Sequence, residues 1–153
     1  MAQAFLKLMT QIFLAYDDFS MKKAFVSVSF NKKNELESEI TTIVGVLKKH
    51  NINPFVFVNT YIFSLDKEKE MMDKATKAIA TSDILIAEVT DKPIGVGIEI
   101  GYAYALRKKI ICLRKKRAEY STTVGGIADE QIIYSSNDEL KTNLEKALSR
   151  LRF

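Results

Sequence analysis

Between Ile98 and Leu106 the chain carries one carboxylate, Glu99, set in the run Gly95-Val96-Gly97-Ile98-Glu99-Ile100-Gly101, whose other members are glycine or aliphatic. The spacing predicts a mostly apolar helix over 97–108 with Glu99 in its first turn. An unpaired buried carboxylate is costly, so one is kept there only if it is well hydrogen-bonded or used. The free N–H groups and partial positive charge of a helix start favour the ionised form, and Glu99 is expected to be an anion at neutral pH. With Gly95 and Gly97 allowing a ligand close to the backbone, such a carboxylate fits a nucleophile attacking a sugar carbon. It fits equally a glutamate that caps its own helix start. The glycines run G-x-G-x-x-x-G and follow the third predicted strand, which argues against a nicotinamide-dinucleotide fingerprint.

The other residues able to do chemistry fall at predicted strand ends. Ser27 and Ser29 close the first strand, and Glu88, Thr90 and Asp91 follow the third. Four cations, Arg114 to Arg117, follow a later strand, where they could help hold a phosphate or form a plain exposed loop. The lone Cys112 and lone His50 cannot complete a four-ligand zinc site, so neither a metal nor a cofactor is expected.

Positioning these groups requires a regular scaffold. Strands are predicted over 24–30, 54–61, 83–89, 109–113 and 131–134, and helices over 34–50, 66–82, 97–108 and 138–151. Strand–helix alternation with near-continuously apolar strands implies an α/β fold, a doubly wound parallel five-stranded sheet in a flavodoxin-like or Rossmann-like sandwich. Ligands of such sheets bind beyond the C-terminal strand ends.

At 153 residues, 47% hydrophobic and 27% charged, the chain is the size of one domain with one core. Its net charge of +4 is spread mostly in Lys/Arg pairs at predicted element ends, without interleaved aromatics, so no nucleic-acid partner is expected. Residues 1–20 read as an N-terminal extension whose apolar positions suit an amphipathic helix over 4–16. It is too short and too interrupted to span a bilayer and lacks the marks of a signal peptide. The domain proper is expected over 21–153. With a single cysteine, the protein is expected in a reducing cytoplasm, away from membranes.

The run Ser82-Asp83-Ile84-Leu85-Ile86-Ala87-Glu88-Val89-Thr90, the glycine segment through Ala103, and Ile110-Ile111-Cys112-Leu113 together resemble the nucleoside 2-deoxyribosyltransferase family. They are most similar to its branch of 2'-deoxynucleoside 5'-monophosphate N-glycosidases. The resemblance implies that Glu99 is the catalytic nucleophile, forming a glycosyl-enzyme that water or another base resolves. It implies a nucleoside or nucleoside 5'-monophosphate as substrate, with Ser29 on the 5'-phosphate; Ser27, Glu88, Asp91, Gly95 and Gly97, from their places at strand ends and in the glycine segment, are expected to bind the same substrate. Ser121 resembles the serine that a neighbouring subunit adds to that phosphate, which implies a homodimer with shared sites.

Four positions depart from the family pattern. A helix aspartate falls on Ala75, with Asp73 about 200° away around the helix. A first-strand tyrosine falls on Phe25, a phosphate-binding serine on Pro93, and an arginine on Asn31, with Lys32 as a substitute. The general acid is therefore unassigned, with Glu88, Asp91 and Asp73 as candidates. The alternatives to an N-glycosidase or deoxyribosyltransferase are a noncatalytic nucleotide-binding module and an interaction protein working through its N-terminal helix.

Overall fold

The computed structural model describes residues 2–9 and 21–151. Residues 2–9 are helical and exposed, and the remainder of the helix expected over 4–16 lies outside the described residues. From Lys22 the elements run β1 (Lys22–Ser27), a 3-10 turn (Phe30–Lys32), α1 (Glu37–Lys49), β2 (Ile52–Val56), α2 (Phe57–Thr60) and α3 (Glu68–Ala80). They continue with β3 (Ile84–Glu88), α4 (Ile94–Ala105), β4 (Lys109–Lys115), α5 (Thr122–Ile127), β5 (Glu130–Tyr134) and α6 (Asn137–Arg150).

All five strands pair in parallel in the order β2-β1-β3-β4-β5. The expected doubly wound sheet is thus present. Pro54, which cannot donate to a ladder, sits in β2 at the sheet's edge, where one side of the strand is unpaired. Strand side chains alternate between two cores. Ala24, Val26, Ile84 and Ile86 point to the α1/α6 side, and Phe25, Leu85 and Ala87 point to the side covered by α3 and α4. The two apolar faces explain why the strands read as continuous hydrophobic runs.

Among the boundaries that differ from the sequence expectation, three near the C-terminal end of the sheet bear on the site. β1 stops at Ser27, and Phe30–Lys32 curl into a 3-10 turn, so Ser29 lies beyond the strand rather than in it. The second strand stops at Val56, and Phe57–Thr60 form a helical turn in place of more strand. α4 starts at Ile94, not Gly97, because Pro93 at its N-cap (φ −68°) is already suited to a helix entry and the glycines that follow adopt ordinary helical angles. α5 was not anticipated at all. It is six residues long and contains two glycines, too little periodicity to register.

Ile111, in the middle of β4, has no exposed surface, whereas Ile62 in the α2–α3 connection is 94% exposed. Ile111→Ala should therefore lower the unfolding free energy by about 2–5 kcal/mol, and Ile62→Ala should change it by less than about 0.5 kcal/mol, in urea titrations followed by circular dichroism.

Candidate active site

β1 feeds α1 on one side of the sheet, and β3 feeds α4 on the other, so the two connections part where the neighbouring strands β1 and β3 end. A crevice at such a switch point follows from the topology. A cavity of about 510 Å³ occupies it, bordered by the segment after β1 (Val28 to Lys32) and the segment after β3 (Asp91 to Glu99).

Glu99 forms part of the cavity wall. Ser27 has the same parity along β1 as Phe25 and so points toward α4, where its hydroxyl donates to Glu99 Oε2. Because α4 begins at Ile94, Glu99 stands in the second helical turn, past the free N–H groups of the helix start. The expected full ionisation is not retained. Burial pushes the Glu99 carboxyl up to about 7, and the Ser27 hydrogen bond draws it back only in part. A large share of Glu99 is therefore protonated at neutral pH, not fully ionised.

Two chemically distinct groups of residues line the cavity. Ser29, Asn31, Lys32, Asp91 and Gly95 bring polar groups to it from the segments after β1 and β3. Lys32 is held by Glu35 at 2.9 Å, which raises its proton affinity and keeps it cationic. From the α2 segment and α3 come Phe57, Tyr61, Phe63, Met71 and Met72. Phe57 and Phe63 stack with ring centroids 6.0 Å apart and planes 19° apart, and Tyr61 packs 5.4 Å from Phe57. This aromatic wall was missed at the level of sequence. The signal was the density of aromatics from Phe55 to Phe63, which a strand assignment to Tyr61 absorbed.

Of the residues expected at the site, Ser29, Asp91, Gly95 and Glu99 line the cavity, and Ser27 reaches it through Glu99. Gly97 is in α4 but does not line it. Glu88 is turned away, because its parity in β3 matches Ile84 and Ile86 on the α1/α6 side. There it accepts from Tyr134 Oη at 3.1 Å and from the Thr90 hydroxyl. Ser121 N-caps α5 and lines a separate small cleft with Arg114 and Tyr120. Arg114 donates to the Ala118 carbonyl at 2.9 Å and lies over the Tyr120 ring, while Lys115 pairs with Glu39 at 2.8 Å, so this run does not surround the chain's own cavity. Asp73 is exposed and outside the cavity, as its angular offset predicted. Phe25 and Ala75, at the positions of the missing tyrosine and aspartate, are both buried in the apolar core beneath the aromatic wall. No group of three or more metal-ligating side chains is assembled among the described residues, and none of their helices is long and apolar enough to cross a membrane.

The family model for nucleoside 2-deoxyribosyltransferase matches residues 27–145. The chain is 46% identical to the 5-hydroxymethyl-dUMP N-hydrolase of Esox lucius over 48 residues, which are 31% of this chain and 33% of that protein. It is 36% identical to the Mus musculus protein of the same name over 70 residues, 42% of this chain and 40% of that one. The matched segments thus span well under two thirds of these curated relatives. Among solved structures, a CMP N-glycosidase of Clostridium botulinum superposes with a TM-score of 0.63 at 21% identity, covering 81% of this chain and 99% of that one. A 2-deoxyribosyltransferase of Bacillus psychrosaccharolyticus gives 0.63 at 13% identity, covering 78% and 90%. With the family match extending from the end of β1 into α6, the chain belongs to the nucleoside 2-deoxyribosyltransferase family.

Proposed function

We propose that this protein cleaves, or transfers at, the N-glycosidic bond of a nucleoside 5'-monophosphate, with Glu99 as nucleophile. The observation that carries the reading is the largely buried Glu99 carboxylate, held by Ser27, on the wall of a cavity lined by both an aromatic cluster and polar side chains. A planar base suits the wall of Phe57, Tyr61 and Phe63, and a sugar phosphate suits the rim of Ser29, Asn31 and Lys32. The ionised Glu99 attacks the anomeric carbon, a C–O bond to the enzyme forms, and the C–N bond breaks with its electron pair leaving on the base. The departing base takes a proton, for which Asp91, the other carboxyl lining the cavity, is the assigned donor. Water, or a second base, then displaces Glu99 from the sugar and regenerates the carboxylate.

A homodimer completes the reading. The outer surface of α4 presents Ile94 (83% exposed), Ile98, Gly101 and Tyr104 at helical spacing without a charge among them, an apolar stripe suited to a self-complementary contact. Ser121 does not line its own chain's cavity, so its family role at the phosphate requires a second copy.

Glu99→Ala should abolish base release from a panel of nucleosides and 5'-monophosphates followed by chromatography; wild-type rates in the variant would refute the assignment. In the native enzyme kcat/KM should climb with pH and level off above about 7, because the attacking group must lose the proton that burial helps it keep. Lys32→Ala should weaken calorimetrically measured dCMP binding about 10-fold while leaving deoxycytidine binding unchanged, and added salt should weaken the nucleotide selectively. Equal losses for both ligands would place the phosphate elsewhere. Sedimentation equilibrium at micromolar concentration should give about twice the 17.3 kDa chain mass, and a purely monomeric species would contradict the dimer and with it the role of Ser121.

A further inference from the structure

A buried polar cluster lies beneath the cavity, on the α1/α6 side of the sheet. Glu88 is 3% exposed and accepts from Tyr134 Oη at 3.1 Å, from the Thr90 N–H at 3.3 Å and from the Thr90 hydroxyl. Thr90 Oγ1 in turn accepts from the Lys115 N–H of β4 at 2.9 Å. Thr90 is therefore tied at once to the end of its own strand and to the neighbouring one.

The segment that Thr90 belongs to needs such ties. Val89 to Lys92 is a tight turn closed by the Lys92 N–H donating to Val89 O at 3.1 Å. Lys92 takes φ 49°, the left-handed region that a long side chain seldom enters and that persists only where its surroundings over-determine it. Asp91, inside this turn, lines the cavity, and Pro93, immediately after it, is the N-cap of the helix that carries Glu99. Two groups assigned to the reaction thus depend on the course of four backbone residues. Glu88 does not line the cavity itself, and within the turn it accepts from both the N–H and the hydroxyl of Thr90.

We propose that Thr90, held from below by Glu88, is the positioning residue of the β3–α4 turn: its hydroxyl fixes the backbone that presents Asp91 and sets the entry of the helix bearing Glu99. The proposal rests on the reading of this cavity as the nucleotide-cleaving site. A merely structural Thr90 would lower stability without a selective effect on the cavity, and the two cases separate experimentally.

Thr90→Val keeps the side-chain shape and removes both hydroxyl bonds, Thr90→Ser keeps the bonds, and Ile43→Val is a core truncation in the α1/α6 cluster remote from the turn. For each, kcat and KM for base release from dCMP and dUMP, the melting temperature, and hydrogen exchange of segment 89–99 by mass spectrometry would be measured. Thr90→Val should lower kcat about 10- to 100-fold and speed exchange of 89–99, with Thr90→Ser restoring both to within about threefold of wild type. Ile43→Val should lower the melting temperature with kcat unchanged. Exchange and kcat unaltered in Thr90→Val, or an equal loss of kcat in Ile43→Val, would overturn the proposal. If the wild-type protein releases no base, the cleavage reading fails on its own. The anchor is then decided by exchange and by dCMP affinity, both of which Thr90→Val must degrade and Thr90→Ser must preserve.

Discussion

A carboxylate placed between the ends of two parallel strands and a helix has few partners available, and the hydroxyl of Ser27 is the donor that meets Glu99. The rest of the site is arranged around that contact. β1 must end at Ser27 for the hydroxyl to face α4, α4 must begin as early as Ile94 for Glu99 to come round in its second turn, and β1 and β3 must be neighbours for the two to meet. A single weak neutral donor leaves the carboxyl mostly uncompensated for lost hydration, and so its proton affinity rises. A nucleophile desolvated in this way is reactive once ionised, because it sheds no tight shell of water or cations on attack.

The apolar side of the site reinforces the same constraint. Phe25 packs 5.8 Å from Phe57 and 6.0 Å from Phe55, and Ala75 lies in the same core as Val96 and Ile100, which flank Glu99 on α4. Family members bearing a tyrosine and an aspartate at these positions would have polar groups under the aromatic wall. Here both positions are apolar and buried. In the cavity that results, Asp91, delivered by the β3–α4 turn, is the carboxyl that lines the wall besides Glu99.

Much of this was legible in the residues themselves. The alternation of apolar strands with amphipathic helices specified a parallel sheet, and the isolation of Glu99 among glycines and aliphatics singled it out. Parity was harder. Glu88 and Asp91 read as a pair after β3, yet the two-residue alternation of the strand sends Glu88 to the opposite core, and only the pairing register reveals which side is which. The helix was expected to open at Gly97 with Glu99 in its first turn, whereas Pro93 had already started it and left Glu99 beyond its N-terminal donors. The aromatic wall was hidden because Phe57, Tyr61 and Phe63 suit a strand as well as a helical turn and loop, and tertiary packing chose the latter. Ser121 caps a helix too short to leave a periodic trace.

The central claim is that Glu99 forms a bond to the sugar, and trapping that bond tests it most directly. A 2-fluoro-arabino nucleoside 5'-monophosphate, whose electronegative substituent slows release of a glycosyl-enzyme, would be incubated with the protein, followed by intact-mass measurement and peptide mapping. The account predicts release of one base per site and a matching sugar-phosphate adduct on the peptide containing Glu99, lost on slow hydrolysis and absent in Glu99→Gln. Base release with the adduct on another residue, or an adduct that persists in Glu99→Gln, would contradict it.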